Sequence, residues 1–134
     1  MIMNSVAKLV IIDGSGKHLL LYRSAHPAFG DDPDLPGGTL EEGESVRETM
    51  VREVDEELGV AIDEADIREI YAGADYSRGE THYSLFIAEV SSRPQITLSW
   101  EHSSYEWIDR DSFLEKAKGA NDTYMHMVYS VLSQ

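Results

Sequence analysis

The chain has no cysteine. Disulfides, thiolate nucleophiles and cysteine-type zinc sites are therefore excluded. The composition is compatible with a reducing compartment, and a cytoplasmic protein is expected. Basic residues are scarce: 11 Lys and Arg stand against 25 Asp and Glu, a formal net charge of −14. Long nucleic acid, gripped through its phosphates by a basic surface, is not an expected partner. No apolar run approaches the ~20 residues of a membrane span, so no membrane partner is expected either. The opening MIMNSVAKLVII lacks a basic leader followed by an apolar region and a cleavage site, and no signal peptide is expected. Repeats, linkers and low-complexity segments are also missing. The expectation is one domain over residues 1–134. What is present is an ordinary apolar fraction of 42%, enough for a real core.

Strands and helices alternate along the chain. Residues 5–12 (SVAKLVII) and 18–23 (HLLLYR) read as strands around the turn Asp13-Gly14-Ser15-Gly16. Residues 24–36 carry three of the four prolines and read as a loop ending in Leu35-Pro36-Gly37-Gly38. A helix is expected from Ser45, which forms a capping-box pattern with Glu48, to a stop at Gly59. Residues 67–76 and 81–90 read as a hairpin around 77–80. Short strands are expected at 96–98 and 105–108, and a helix at 111–118. A last helix from about Asp122 buries Tyr124, Met127, Val128, Val131 and Leu132. The class is α+β with a mixed sheet.

Charge concentrates in one place. Residues 38–60, GTLEEGESVRETMVREVDEELGV, hold seven glutamates and one aspartate. Like charges three and four apart destabilise a helix unless a cation or solvent offsets them. With Val46 at zero and ~100° per residue, Met50, Val54, Leu58 and Val51 form an apolar stripe from about 40° to about 140°. Glu56, Glu53 and Glu57 fall at about 280°, 340° and 20°, on one narrow face beside that stripe. Asp55 and Glu48 point away, and Arg47 lies within the stripe with its head expected to reach water. Acids beside a buried face suit a hard cation such as Mg²⁺ or Mn²⁺. The competing reading is a solvated acidic face balanced by Arg47 and Arg52.

The series Gly38-x5-Glu44-x7-Arg52-Glu53-Val54-x-Glu56-Glu57-x-Gly59-Val60 matches the Nudix box, GX5EX7REUXEEXGU, at every specified position. The chain thus resembles the Nudix hydrolases. The resemblance implies an α/β/α sandwich with a mixed β-sheet and helices on both faces. It implies metal-dependent hydrolysis, with Mg²⁺ or Mn²⁺, of a nucleoside diphosphate linked to another moiety. A nucleoside triphosphate cleaved to monophosphate and pyrophosphate heads the substrates, with dinucleoside polyphosphates and nucleotide sugars as alternatives. A catalytically silent nucleotide-binding sensor is an alternative of another class, and a plain acidic interaction domain is a third.

Carried onto this chain, the resemblance implies Glu53, Glu56 and Glu57 as metal ligands, with Glu53 also the general base. Arg52 and Glu44 would hold Glu53 in place. The Gly37 carbonyl is a further implied ligand. Glu101, six residues before Trp107, resembles an acid that relatives recruit from a loop; otherwise it is an ordinary loop glutamate. His102 beside it reads as a surface or hydrogen-bonding residue. Arg23 and Arg78 are candidates for phosphate or base contact, or are solvated arginines. Asn121 reads most simply as an N-cap, though a comparably placed asparagine in some relatives reads the base. Tyr76 resembles a tyrosine of dinucleoside polyphosphate hydrolases, or packs at a strand end. The proline expected of ADP-ribose hydrolases is absent, since residues 74–77 read Ala-Asp-Tyr-Ser. Tyr83, Phe86, Trp100 and Trp107 are aromatic candidates for base stacking or for the core.

Overall fold

The structure, a computed structural model, describes residues 3–24, 32–75 and 80–134. A seven-stranded mixed sheet is sandwiched between helices. Its central strands are β1 (Met3–Ile12) and β6 (Glu80–Glu89), which run parallel with Leu9 opposite Phe86. β2 (His18–Arg23) returns antiparallel to β1, and β5 (Arg68–Asp75) closes the other edge against β6. β7 (His102–Ile108) pairs with β2, pulled by the register Leu20–Glu106. Two strands are very short: β3 (Pro33–Asp34) lies on β2, and β4 (Gly37–Thr39) lies on β1.

The continuous apolar run of β1 follows from burial on both sides. Ala7, Leu9 and Ile11 face one core with Met50, Val54 and Leu58 of α1 (Val46–Leu58). Val6, Val10 and Ile12 face the other core. Phe113 of α2 (Arg110–Lys118) and Met125 and Val128 of α3 (Thr123–Leu132) complete that second layer. Met50, Val54 and Leu58 are fully buried, and each such side chain contributes about 1.5–3 kcal/mol. The three sit on the stripe the helical wheel predicts.

The ends of α1 form as its sequence prescribes. Ser45 accepts from the Glu48 amide and Glu48 answers through the Ser45 amide. Gly59 adopts φ 66° and donates to the Asp55 carbonyl. Several expectations change. The segment 96–98 is not a strand. Its neighbourhood instead supplies donors to the end of α1, Thr97 N–H to the Leu58 carbonyl at 2.8 Å and Ser99 N–H to the Glu57 carbonyl at 3.0 Å. The expected loop 24–36 contains β3, and the Gly-Gly stretch becomes β4. The expected strand 105–108 begins at His102. Asp122, not Asn121, caps α3, its carboxylate accepting from the Tyr124 amide. The Arg47 guanidinium, besides any contact with water, donates to the Glu64 and Ile67 carbonyls and lies over the Phe86 ring.

Candidate active site

β4 lies against β1 next to α1, with Ala7 opposite Gly38 and Lys8 opposite Gly37. This brings the two glycines onto the acidic face of the helix. A Cβ at Gly38 would stand 2.8 Å from the Glu53 carboxyl carbon. At Gly37 the backbone takes φ 145°, and a Cβ would meet the Ala7 carbonyl oxygen at 2.1 Å. Only glycine fits either position without a shift. The Gly37 amide in turn points at Glu57 Oε2 from 3.4 Å.

The three acids of that face differ in setting. The Glu56 side chain is exposed, Glu53 is mostly covered and the Glu57 side chain is 2% exposed. Burial, then the hydrogen bond and charge of Glu53, with Glu101 and Asp34 behind, push the Glu57 carboxyl up to about 9. Arg52 ties the rest together. Its Nε and Nη2 reach Glu44 at 2.6 and 3.0 Å, and Nη1 reaches Glu53 at 2.9 Å and Glu56 at 3.2 Å. Glu44 also accepts from the Thr49 hydroxyl at 2.7 Å and the Glu41 amide at 3.0 Å. Arg52 first, then these donors, hold its carboxyl down at about 2.

Beside this face opens a cleft of about 600 Å³. Gly37, Gly38, Glu57 and Glu101 line the side next to α1. Lys8, Arg23, Asp34, His102 and Asp122 also line it. Lys8 and Asp34, both buried, form an ion pair, and His102 Nε2 bonds Asp34 at 2.9 Å. Burial alone would raise the Asp34 pKa, but Lys8, His102 and Arg23 hold it far below the usual carboxylate range. Among the described residues His102 Nδ1 is buried without a hydrogen-bond partner, 3.9 Å from Glu57 Oε2.

The NUDIX domain matches residues 3–127. This chain belongs to the Nudix hydrolase family. An ADP-ribose pyrophosphatase from Methanocaldococcus jannaschii is 37% identical over 81 residues, 60% of this chain and 47% of the relative. The chain therefore spans about half the length of that curated relative. The MutT protein of Methanosarcina mazei Go1 is 25% identical, with TM-score 0.73 over 96% of this chain and 91% of that one. An Ap4A hydrolase from C. elegans shares the fold at TM-score 0.70 and 22% identity, over 96% and 94%.

Nudix hydrolases generally need divalent metal ions. Among the described residues no three His, Asp or Glu side chains already converge as a cation cage. The donor set nevertheless fits one. Glu53 and Glu57 are carboxylates pressed together under cover, and Glu57 resists ionising until positive charge is supplied. Oxygen donors are also the chemistry of hard cations.

Of the residues expected at the Nudix site, Gly37, Glu44, Arg52, Glu53, Glu56 and Glu57 come together around α1 and β4. Glu101 lines the same cleft, close enough for its charge to act on Glu57. Arg23 lines it too, paired with Asp122 at 2.5 Å. Asn121 is not among the lining residues; its amide groups bond the Asp32 carboxylate instead. Tyr76 and Arg78 lie outside the described residues. Phe86 belongs to the core under α1, Trp107 packs against that core, and Trp100 is 86% exposed on the cleft. Lys8, Asp34 and Asp122 were not expected there. A lysine at a core position of β1 was the available signal for Lys8; Asp34 and Asp122 carried none. His102 keeps its hydrogen-bonding reading and loses the surface one.

Proposed function

We propose that this Nudix domain is a metal-dependent pyrophosphohydrolase that cleaves a nucleoside diphosphate linked to a further group. The observation that carries this reading is the Arg52 hub. It braces Glu44, Glu53 and Glu56 at the edge of an open cleft, on the face where Glu57 is buried against Glu53. Glu53, Glu56 and Glu57, with the Gly37 carbonyl and Glu101, would hold Mg²⁺ or Mn²⁺. When bound, such a cation screens the phosphates, polarises a phosphoryl oxygen and acidifies water.

The chain's own groups do the rest. Glu53 takes the proton of the attacking water. Arg52 fixes the carboxylate of Glu53 by a charge-assisted bond, and Glu44 fixes Arg52. Gly37 and Gly38 keep the wall thin enough for the phosphates to approach. Trp100 offers a broad aromatic face to the base. The resemblance to an ADP-ribose pyrophosphatase agrees with this bond type.

The test is a phosphate- and monophosphate-release screen with Mg²⁺ over nucleoside triphosphates, dinucleoside polyphosphates, ADP-ribose and nucleotide sugars. Turnover of at least one is expected. EDTA should abolish it and excess Mg²⁺ restore it. Glu53→Gln should lower kcat by about 10²–10⁴ with the circular dichroism spectrum unchanged. Full activity in EDTA, or in the Gln variant, overturns the reading.

A further inference from the structure

We propose that His102 Nδ1 is a ligand of the cation bound at this cleft. Beside Glu57 it makes a mixed nitrogen and oxygen site. The nitrogen raises affinity for a transition cation such as Co²⁺ or Zn²⁺ more than for Mg²⁺. The inference rests on the metal-dependent reading above and adds to it a residue from β7, outside the motif on α1.

The His102 ring is fixed from behind. Its Nε2 bonds Asp34 at 2.9 Å. Asp34 is held in turn by the buried Lys8 ammonium and by Arg23, whose Nε lies 3.4 Å away. Although burial opposes it, Lys8 and Arg23 keep Asp34 ionised and an acceptor. The proton of the neutral ring therefore belongs on Nε2, and Nδ1 keeps its lone pair. A histidine that binds a metal is commonly set this way, with one ring nitrogen donating to a carboxylate and the other given to the ion.

The His102 and Glu57 side chains are each 2% exposed. Among the described residues no hydrogen-bond partner meets Nδ1, an unusual condition for a buried ring nitrogen. The atom it faces is Glu57 Oε2 at 3.9 Å, too far for a direct hydrogen bond. With Glu57 ionised, both atoms are electron-pair donors. Two donors buried face to face are joined by an electron-pair acceptor, and a cation is one. Bonds of about 2.1 Å to nitrogen and oxygen let two ligands of one ion stand up to about 4.2 Å apart. The separation of 3.9 Å lies inside that limit. Both residues line the same cleft, as does Glu101, the residue before His102.

The preference among metals follows from the donor set. Mg²⁺ takes oxygen ligands and gives up its waters reluctantly. Imidazole suits Zn²⁺, and the affinity of a site with nitrogen donors rises from Mn²⁺ to Co²⁺. Losing His102 should therefore matter little for Mg²⁺ and much for Co²⁺.

The experiment measures Co²⁺ and Mg²⁺ affinity by calorimetry for the parent protein and for His102→Gln. Glutamine keeps an N–H for Asp34 but has no second ring nitrogen. We expect Co²⁺ affinity to fall by about tenfold or more and Mg²⁺ affinity by less than about threefold. Equal losses in a folded variant, or no loss for either ion, overturn the proposal. A second measurement needs no variant. The parent protein, labelled with a magnetically active nitrogen isotope, is loaded with a magnetically active cadmium isotope. A scalar coupling between the cadmium and His102 Nδ1 is expected, with Nε2 still protonated toward Asp34. Saturation with cadmium and no such coupling overturns the proposal whatever the variant does. Neither measurement uses a substrate, so a failure of turnover would strike the hydrolytic reading alone.

Discussion

Arg52 clasps Glu44 with two parallel hydrogen bonds, Nε to Oε2 at 2.6 Å and Nη2 to Oε1 at 3.0 Å. The fork leaves Nη1 to reach Glu53 and Glu56. An arginine so held presents one nitrogen to the site in a fixed direction.

Lysine cannot reproduce that fork. Arg52→Lys and Glu44→Gln should each lower kcat by about 10–100-fold, the usual cost of removing a residue that orients a ligand. KM should change far less. A kcat within twofold of the parent for both variants would show that Glu53 is positioned without them.

The two glycines of β4 should fail in different ways. Gly37→Ala meets the Ala7 carbonyl and forces alanine to φ 145°, a strain of about 1–3 kcal/mol before the clash is counted. A clear drop in urea midpoint is expected. Gly38→Ala meets first the Glu53 carboxyl group, the end of a side chain that can move. It should keep most of its stability and lose activity and Mn²⁺ affinity, read by paramagnetic resonance. Equal stability losses in the two would contradict this difference.

His18 makes stability depend on pH. Burial lowers its pKa; the bond from the ring to the Gly16 carbonyl opposes this, and the Arg110 charge adds to it. The unfolded chain, with a His pKa of about 6.5, then takes up a proton before the folded one does. Stability conferred by neutral His18 is complete above that value and falls as pH drops below it, until the folded ring protonates. The urea midpoint should fall between pH 7.5 and 5, and His18→Gln should flatten that slope. Parallel slopes for the two proteins would remove His18 as the cause.

Trp100 is 86% exposed, and its carbonyl accepts from the Ser24 hydroxyl at 2.7 Å, which ties its loop to the end of β2. Stacking on an aromatic side chain is worth about 1–3 kcal/mol per base, so Trp100→Ala should raise KM by about 5–150-fold. Melting temperature should hardly move, and Trp100→Phe should recover most of the affinity. An unchanged KM in the alanine variant would place the base elsewhere.

The part of the site on α1 was legible because its information is local. Helical periodicity puts Glu53, Glu56 and Glu57 on one face, and the capping box and Gly59 set where the helix starts and stops. The depth of each acid was not legible. All three share a face, yet only Glu57 is buried, because β4 and β7 cover that end of the helix face. The strand expected at 96–98 failed for a related reason. Its apolar pattern is real, since Ile96 and Leu98 pack on the core, but the donors of this stretch meet α1 carbonyls instead of a neighbouring strand.

The far wall of the cleft belongs to long-range contacts. Lys8, Asp34, His102 and Asp122 come from β1, β3, β7 and the cap of α3, separated by as many as 114 positions from Lys8 to Asp122, and no local pattern joins them. By itself the sequence determined the helix, its acidic face and the position of Gly38 in the same motif, because those rest on spacing within 23 residues. Only the tertiary structure decided which acid is buried and which charges line the cleft. Burial and ion pairing depend on which strands a residue meets, and that is settled when the sheet assembles.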